Sequence, residues 1–266
     1  MHWVLTSSSR PNVAAVRVPK VPKRENNLTF VLVAAILAPI IRLLFRVKTE
    51  GVENLPKGGY ILVGNHLSYL DPLAFAYSVY LHMKRTPHYF AKESLFRVPI
   101  LGFLLPKVGQ IPVYRSGRGN EEPMAAAKAF LKAGQVVVVF PEGTLTRDPE
   151  LWPMRGKTGA IRLAVEMGLP IVPAAHWGVE KVLGPYTKRF SPNPFHVVKV
   201  KIGKPIRFDH LDKDNLTAQI LATATDQVMR EVAGLVGQMR GETPPAELWD
   251  PAKKGQSEIG NFRKKS

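Results

Sequence analysis

Two hydrophobic patterns alternate along most of this chain. Short uninterrupted apolar runs at residues 60–63 (Tyr-Ile-Leu-Val) and 136–139 (four valines) predict strands covered on both faces. Residues 88–92, 109–115 and 170–176 predict further strands, and Pro112 places the 109–115 segment at an edge or a bulge. Residues 195–201 alternate as a late, half-exposed strand does. Helical segments lie between the strands. Pro72 starts one that runs to Lys84; a second has Asn120 as its cap, Glu121 and Glu122 in its first turn and Gly134 as its stop; residues 160–167 form a third. Leu216, Ile220, Ala224, Val228, Val232, Leu235 and Met239 form one apolar stripe, which predicts a long helix capped by Asp212 or Asp214. Strands and helices alternate over roughly residues 50–240, which predicts an α/β domain of three layers.

The window 28–47 breaks this pattern. From Leu28 to Ile41 only Thr29 is polar. That is about 14 residues, short of the roughly 18–20 needed to span a bilayer. Pro39 interrupts the window, Arg42 and Arg46 close it, and both flanks are basic. The expectation is a helix lying in the membrane interface, with a single tilted span, Arg42 snorkelling, as the alternative. Residues 94–107 are also densely apolar, which suits buried packing, a membrane-facing surface or an acyl-lining one. Residues 1–27 read as a basic flexible arm with no signal-peptide core, and residues 241–266 as a basic polar tail. The main domain is then residues 48–240.

Composition narrows the classes. Hydrophobic residues make up 45%, enough for a real core and too many for wholesale disorder. There is no Cys, which excludes disulfides, thiolate metal sites and a thiol nucleophile. The formal net charge is +16, which suits nucleic acid, anionic lipid or phosphorylated small molecules. No zinc-finger spacing or RNA-binding aromatic signature accompanies it. The charge is strongest at the two ends of the chain, an arrangement that fits a membrane surface as well as DNA.

The candidate chemistry lies after the first strand. His66 falls in a strand-to-helix loop, and Asp71-Pro72 is a helix start with Asp71 as N-cap. On a continuous helix the two would sit about 140° apart, so they meet only if the chain between them turns. A His held by a carboxylate is a general base with its tautomer fixed. Taken alone, the pair reads first as a buried His beside a capping Asp. Gly156-Lys157-Thr158 has the look of a P-loop end, but Leu151 stands where that motif needs Gly.

Four segments in order resemble the glycerolipid acyltransferases, the family of 1-acylglycerol-3-phosphate acyltransferases. Asn65-His66 and Asp71 match the first motif of that family. Gly109-Gln110-Ile111-Pro112-Val113-Tyr114-Arg115 is similar to the second, which ends in an acceptor-binding Arg. Phe140-Pro141-Glu142-Gly143-Thr144 looks like the third, and Leu169-Pro170-Ile171-Val172-Pro173 like the fourth. The third motif commonly continues with Arg directly after Thr. Here Leu145 and Thr146 intervene before Arg147, so Arg155 and Lys157 are the other candidate cations.

The resemblance implies a three-layer α/β acyltransferase domain with a mixed sheet flanked by helices. It also implies transfer of a long-chain acyl group from acyl-CoA or acyl-carrier protein to the sn-2 hydroxyl of lysophosphatidic acid, giving phosphatidic acid for phospholipid biosynthesis. The acyl thioester is then a substrate, and neither cofactor nor metal is expected. His66 would take the hydroxyl proton and Asp71 would orient the imidazole. Arg115 would bind the acceptor phosphate, its guanidinium fork matching phosphate geometry. Gly143 would allow close backbone approach, with Thr144 beside it. Glu142 would orient a cation or a ligand hydroxyl. His82, His88, His176, His196 and His210 match no motif and read as ordinary surface or core residues. The expected location is the cytoplasmic face of the cell membrane, peripheral or monotopic, with anionic lipids as partners and no nucleic acid. Two other readings remain open: the same chemistry on another lysophospholipid or a glycolipid, and a non-catalytic basic protein that binds membrane or nucleic acid.

Overall fold

A computed structural model describes residues 19–22, 25, 27–114, 121–187 and 189–257. Among the described residues seven strands form one sheet: β1 (Arg46–Glu50), β2 (Tyr60–Val63), β3 (Pro87–Lys92), β4 (Ile111–Val113), β5 (Val136–Val139), β6 (Ile171–Trp177) and β7 (Val197–Ile202). Their order is β1-β7-β6-β2-β5-β3-β4. All neighbours are parallel except β6 and β7, so the sheet is mixed.

Burial explains the apolar runs. Ile61, Val63 and Val137 face one core with Phe130 of α4 (Glu121–Lys132), Ile161 of α5 (Gly159–Met167) and Val232 of α7 (Ala218–Arg240). Tyr60, Leu62, Val136 and Val138 face the other with Phe75 of α2 (Asp71–Tyr77). A strand between two helical layers needs apolar residues at every position, since its side chains alternate between the faces. Pro112 lies on β4, an edge strand, where its missing N–H is tolerated.

Four sequence expectations are corrected. The helix expected to run from Pro72 to Lys84 stops being α-helical at Tyr77 and continues as a π turn, Ser78–His82. The helix of the 28–47 window, α1, covers Leu28–Leu44. Beyond it Phe45 is fully buried and Arg46–Glu50 becomes β1, whose Lys and Glu suit an edge. Helix α7 is capped by Thr217, whose side chain accepts from Ile220 N, not by Asp212 or Asp214. The segment after Arg240 packs on the domain instead of trailing away. Leu248 joins the core, and Trp249 bridges to Met154.

Helix α1 buries Phe30 and Ile41 but exposes Leu28, Leu32, Ile36, Ile40 and Leu43. Helix α3 (Pro99–Lys107) exposes Ile100, Leu101 and Phe103. Asn27, the cap of α1, donates to Lys107 O at the end of α3, so the two apolar faces are neighbours. No helix among the described residues is long and apolar enough to cross a membrane.

Candidate active site

The site forms where β2, β5 and β6 end. These strands run parallel, so their carboxyl ends share one edge of the sheet. His66 follows β2, Glu142 follows β5, and His176 is the sixth residue of β6.

Asp71 organises the first loop. It is the first residue of α2, and Leu70 occupies the N-cap position expected for Asp71. The carboxylate turns back into the preceding loop. Its Oδ2 accepts from Leu67 N at 2.5 Å, from Ser68 N at 2.8 Å and from His66 Nδ1 at 2.8 Å. Two backbone donors therefore wrap residues 67–68 around the carboxylate, which brings His66 onto it. The turn required by the five-residue spacing is made by Asp71 itself.

The imidazole of His66 is 19% exposed while the Asp71 carboxylate is fully buried. Phe140 stacks on the ring at 4.7 Å. Burial pushes the Asp71 carboxyl upward, but His176 and then His66 outweigh it and bring it down to about 2. An ionised Asp71 fixes the Nδ1–H tautomer of His66 and leaves Nε2 as the basic nitrogen.

His176 was not expected in this site. It is completely buried, and its Nε2 lies 2.7 Å from the other carboxylate oxygen, Asp71 Oδ1. The contact is short but poorly aligned as a hydrogen bond, so it acts first through electrostatic attraction. Asn65 ties this second His in place. Its Nδ2 donates to His176 O at 3.0 Å, and its Oδ1 accepts from His176 N at 2.9 Å. The β2–β6 ladder ends at Val63 and Pro173, and the Asn65 amide extends it by one more pair. A strand ending in His beside the central strand was the available signal; the strand order that gives it meaning is not written in the local sequence.

Glu142 is corrected from a ligand-orienting role. Its Oε1 accepts from His66 N at 2.8 Å and its Oε2 from Met154 N at 3.1 Å, in a buried position. Both oxygens are thus committed to backbone, and the carboxyl staples the His66 loop to the 152–155 loop. Burial pushes it well above the usual carboxylate range despite those two N–H groups. Thr146 N donates to His66 O at 2.7 Å, so the loop after β5 holds His66 from both sides of its peptide.

The expected cations do not converge. Arg147 is buried, with its backbone N on Met154 Sδ, and so is no open anion site. Arg155 pairs with Asp250 at 3.0 Å and with Asp226 at 3.6 Å, so it fastens the C-terminal segment and α7 instead. Lys157 stays at the site and exposed. Gly143 has φ +67°, and a Cβ there would meet Lys157 Cε at 3.3 Å, so the glycine leaves room for the lysine stem. Thr144 is half-buried, with its hydroxyl 3.5 Å from Tyr186 Oη. Arg115 lies outside the described residues. Among the described residues, no group of three His, Cys, Asp or Glu could hold a metal ion.

His88, as expected, is a core residue, stacked on Phe130 and bonded to Gly109 O and Gln135 Oε1.

Comparison with known proteins places this geometry in context. Residues 46–177 match the family model described as Acyltransferase. A Schizosaccharomyces pombe protein described as an uncharacterized acyltransferase is 32% identical over 71% of this chain and 68% of its own. The 1-acyl-sn-glycerol-3-phosphate acyltransferase of Bacillus subtilis is 29% identical over 76% of this chain and 96% of its own. A chloroplastic protein of the same description from Brassica napus is 30% identical over 52% of this chain, and the match takes in 39% of that longer protein. The crystal structure of the 1-acyl-sn-glycerophosphate acyltransferase of Thermotoga maritima superposes with a TM-score of 0.59 at 23% identity. It covers 81% of this chain and 82% of that one, and it shows a shared fold.

Proposed function

Because the chain belongs to the acyltransferase family, we propose that it transfers a long-chain acyl group from an acyl thioester to the sn-2 hydroxyl of 1-acylglycerol-3-phosphate, giving phosphatidic acid. The observation that carries this reading is the His66–Asp71 pair. It sits at the carboxyl edge of the sheet, Nδ1 on the carboxylate and the ring partly open.

In this mechanism His66 Nε2 takes the hydroxyl proton as the acceptor oxygen attacks the thioester carbonyl. A C–O bond forms and a tetrahedral intermediate carries the negative charge on the former carbonyl oxygen. Collapse breaks the C–S bond, and the imidazolium returns its proton to the departing thiolate. Asp71 stabilises the imidazolium in between. The thiolate is a good leaving group, so no enzyme nucleophile is needed. Lys157, beside Gly143, is the described cation placed to meet an acceptor phosphate, with Arg115 as a second candidate from the motif.

The apolar faces of α1 and α3 support docking on a membrane surface with anionic lipids, the source of the acceptor. Helix α3 begins shortly after the carboxyl end of β3, on the same edge of the sheet as His66. An enzyme so docked would face the membrane with its open edge.

A second acceptor class has one observation in its favour. Arg147 is buried and Arg155 is paired elsewhere, so the described site offers less charge to a free phosphate than the motif alone suggests. The test is acyl transfer in lipid vesicles, with acyl-CoA and acyl-carrier protein as donors. Lysophosphatidic acid competes there with a lysophospholipid lacking a phosphomonoester, and wild type runs beside His66→Ala. Phosphatidic acid formed by wild type and lost in the variant supports the reading. Equal activity in both proteins removes His66 as the base, and preference for the other acceptor moves the headgroup assignment.

A further inference from the structure

We infer that His176 is a positioning residue for the catalytic pair, a rear clamp that holds the Asp71 carboxylate in the one rotation that serves His66. The catalytic part of this inference rests on the acyl-transfer reading above. The structural part does not.

Both oxygens of Asp71 are buried, and they are used differently. Oδ2 takes the His66 ring and two backbone donors, whereas Oδ1 meets His176 Nε2 at 2.7 Å. Among the described side chains, His176 Nε2 is the polar group brought against Oδ1, which has no aligned hydrogen-bond donor, and a buried carboxylate oxygen so placed depends on that approach. Two lone pairs facing each other at 2.7 Å would repel, so Nε2 carries a proton even though the contact is too bent for a well-aligned hydrogen bond. With Asp71 ionised, that proton sits on the imidazole. His176 Nδ1 meets no hydrogen-bonding partner, and Nε2 has the Asp71 carboxylate as its polar neighbour, approached off the hydrogen-bond axis.

The clamp is itself anchored. Asn65 grips both backbone groups of His176 and belongs to the same loop as His66. Phe75 packs edge-to-face on the ring at 5.1 Å. Phe75 also meets Phe140, which stacks on His66, so one aromatic set seats both imidazoles. Glu180, just beyond β6, lies within the field of both His176 and Asp71; its Oε2 is bonded to Gly178 N. A histidine placed for packing alone would have no reason to direct a ring nitrogen at the catalytic carboxylate.

The experiment compares wild type, His176→Gln and His176→Leu. Glutamine can place an amide N–H near the position of Nε2, while leucine fills space without a donor. Nitrogen-15 chemical shifts of the histidine rings report which ring nitrogen carries the proton and need no turnover. In wild type His176 is expected to be protonated at Nε2 and His66 to show one tautomer, Nδ1–H. In His176→Leu the His66 ring is expected to become a mixture of tautomers. The acyl-transfer kcat is expected to fall by up to about a hundredfold, as for a slightly misplaced catalytic group, with KM for the acceptor little changed. His176→Gln is expected to restore the single tautomer and most of kcat.

A wild-type His176 ring protonated on Nδ1 alone overturns the inference even if the leucine variant fails to fold. So does a folded His176→Leu with a single His66 tautomer and unchanged kcat. If wild type transfers no acyl group, the ring shifts still decide the clamp, and only the reaction reading fails.

Discussion

Glu142 accepts a hydrogen bond from the backbone N–H of His66 at 2.8 Å, while Asp71 accepts one from its ring at the same distance. One carboxyl group thus fixes where the histidine's main chain lies and another fixes which way its imidazole points. The two have opposite electrostatic settings. Asp71 is held down at about 2, and Glu142 is pushed well above the usual range. His176 and His66 offset the burial of Asp71, whereas Glu142 has only backbone partners.

Asp71→Asn keeps the shape of the side chain and loses the charge. Its amide would set an N–H either against the donors of Leu67, Ser68 and His66 or, turned over, against His176, in a fully buried place. Activity is expected to fall about a hundred- to ten-thousandfold, because the wrong tautomer of His66 is then favoured. Stability is expected to drop by about 1–3 kcal/mol for the unsatisfied buried group. Vesicle assays and denaturant unfolding of the same preparation check both.

Asp71 also sets an acid limit. Its folded value of about 2 lies below the ordinary 3.8, so the unfolded chain takes up this proton first as the pH falls. The stability contributed by Asp71 is complete above 3.8 and is lost as the pH drops through about 2. Urea midpoints measured across that window should fall more steeply in wild type than in Asp71→Asn.

Glu142 has the reverse sign. Its folded carboxyl keeps a proton to higher pH than the unfolded chain does. The stability from this group is greatest below the ordinary value of 4.5 and declines as the pH rises through the folded value. Glu142→Gln does not titrate there. Wild type should therefore gain stability relative to Glu142→Gln on acidification toward 4.5, as read by thermal midpoints of both proteins across pH.

Lys157 and Arg155, two positions apart in sequence, should separate in function. Lys157→Ala is expected to raise KM for lysophosphatidic acid several-fold, with a smaller change for an acceptor lacking a free phosphate. Arg155→Ala breaks partly exposed pairs to Asp250 and Asp226. Such pairs contribute about 0–1 kcal/mol each. Its effect should appear as a small fall in stability with KM unchanged, and steady-state kinetics with both acceptors distinguishes the two.

The exposed apolar faces of α1 and α3 should carry membrane binding. Ile36→Asp and Phe103→Asp each remove a large exposed side chain from that surface. Burying one such side chain is worth about 1.5–3 kcal/mol, so vesicle affinity should fall about tenfold or more for each. Flotation with anionic vesicles at fixed salt measures it.

The sequence by itself determined the layered α/β architecture. Continuous apolar runs at 60–63 and 136–139 have no stable place except between two helical layers, and β2 and β5 occupy such places. It also determined the His66–Asp71 pair, because the partners lie five residues apart and a local turn suffices to join them. The tertiary structure alone decided what surrounds that pair. His176 is remote from Asp71 in sequence and reaches it because β6 lies beside β2 in the sheet. Arg155 reads as a loop cation until Asp250 and Asp226 arrive from the C-terminal segment and α7. Glu142 reads as a strand-end carboxylate until the loops holding His66 and Met154 close over it. Hydrophobic periodicity and short-range turns are local quantities, so a sequence displays them directly. Which buried polar group finds which partner is fixed by strand order and by segments that return from far along the chain.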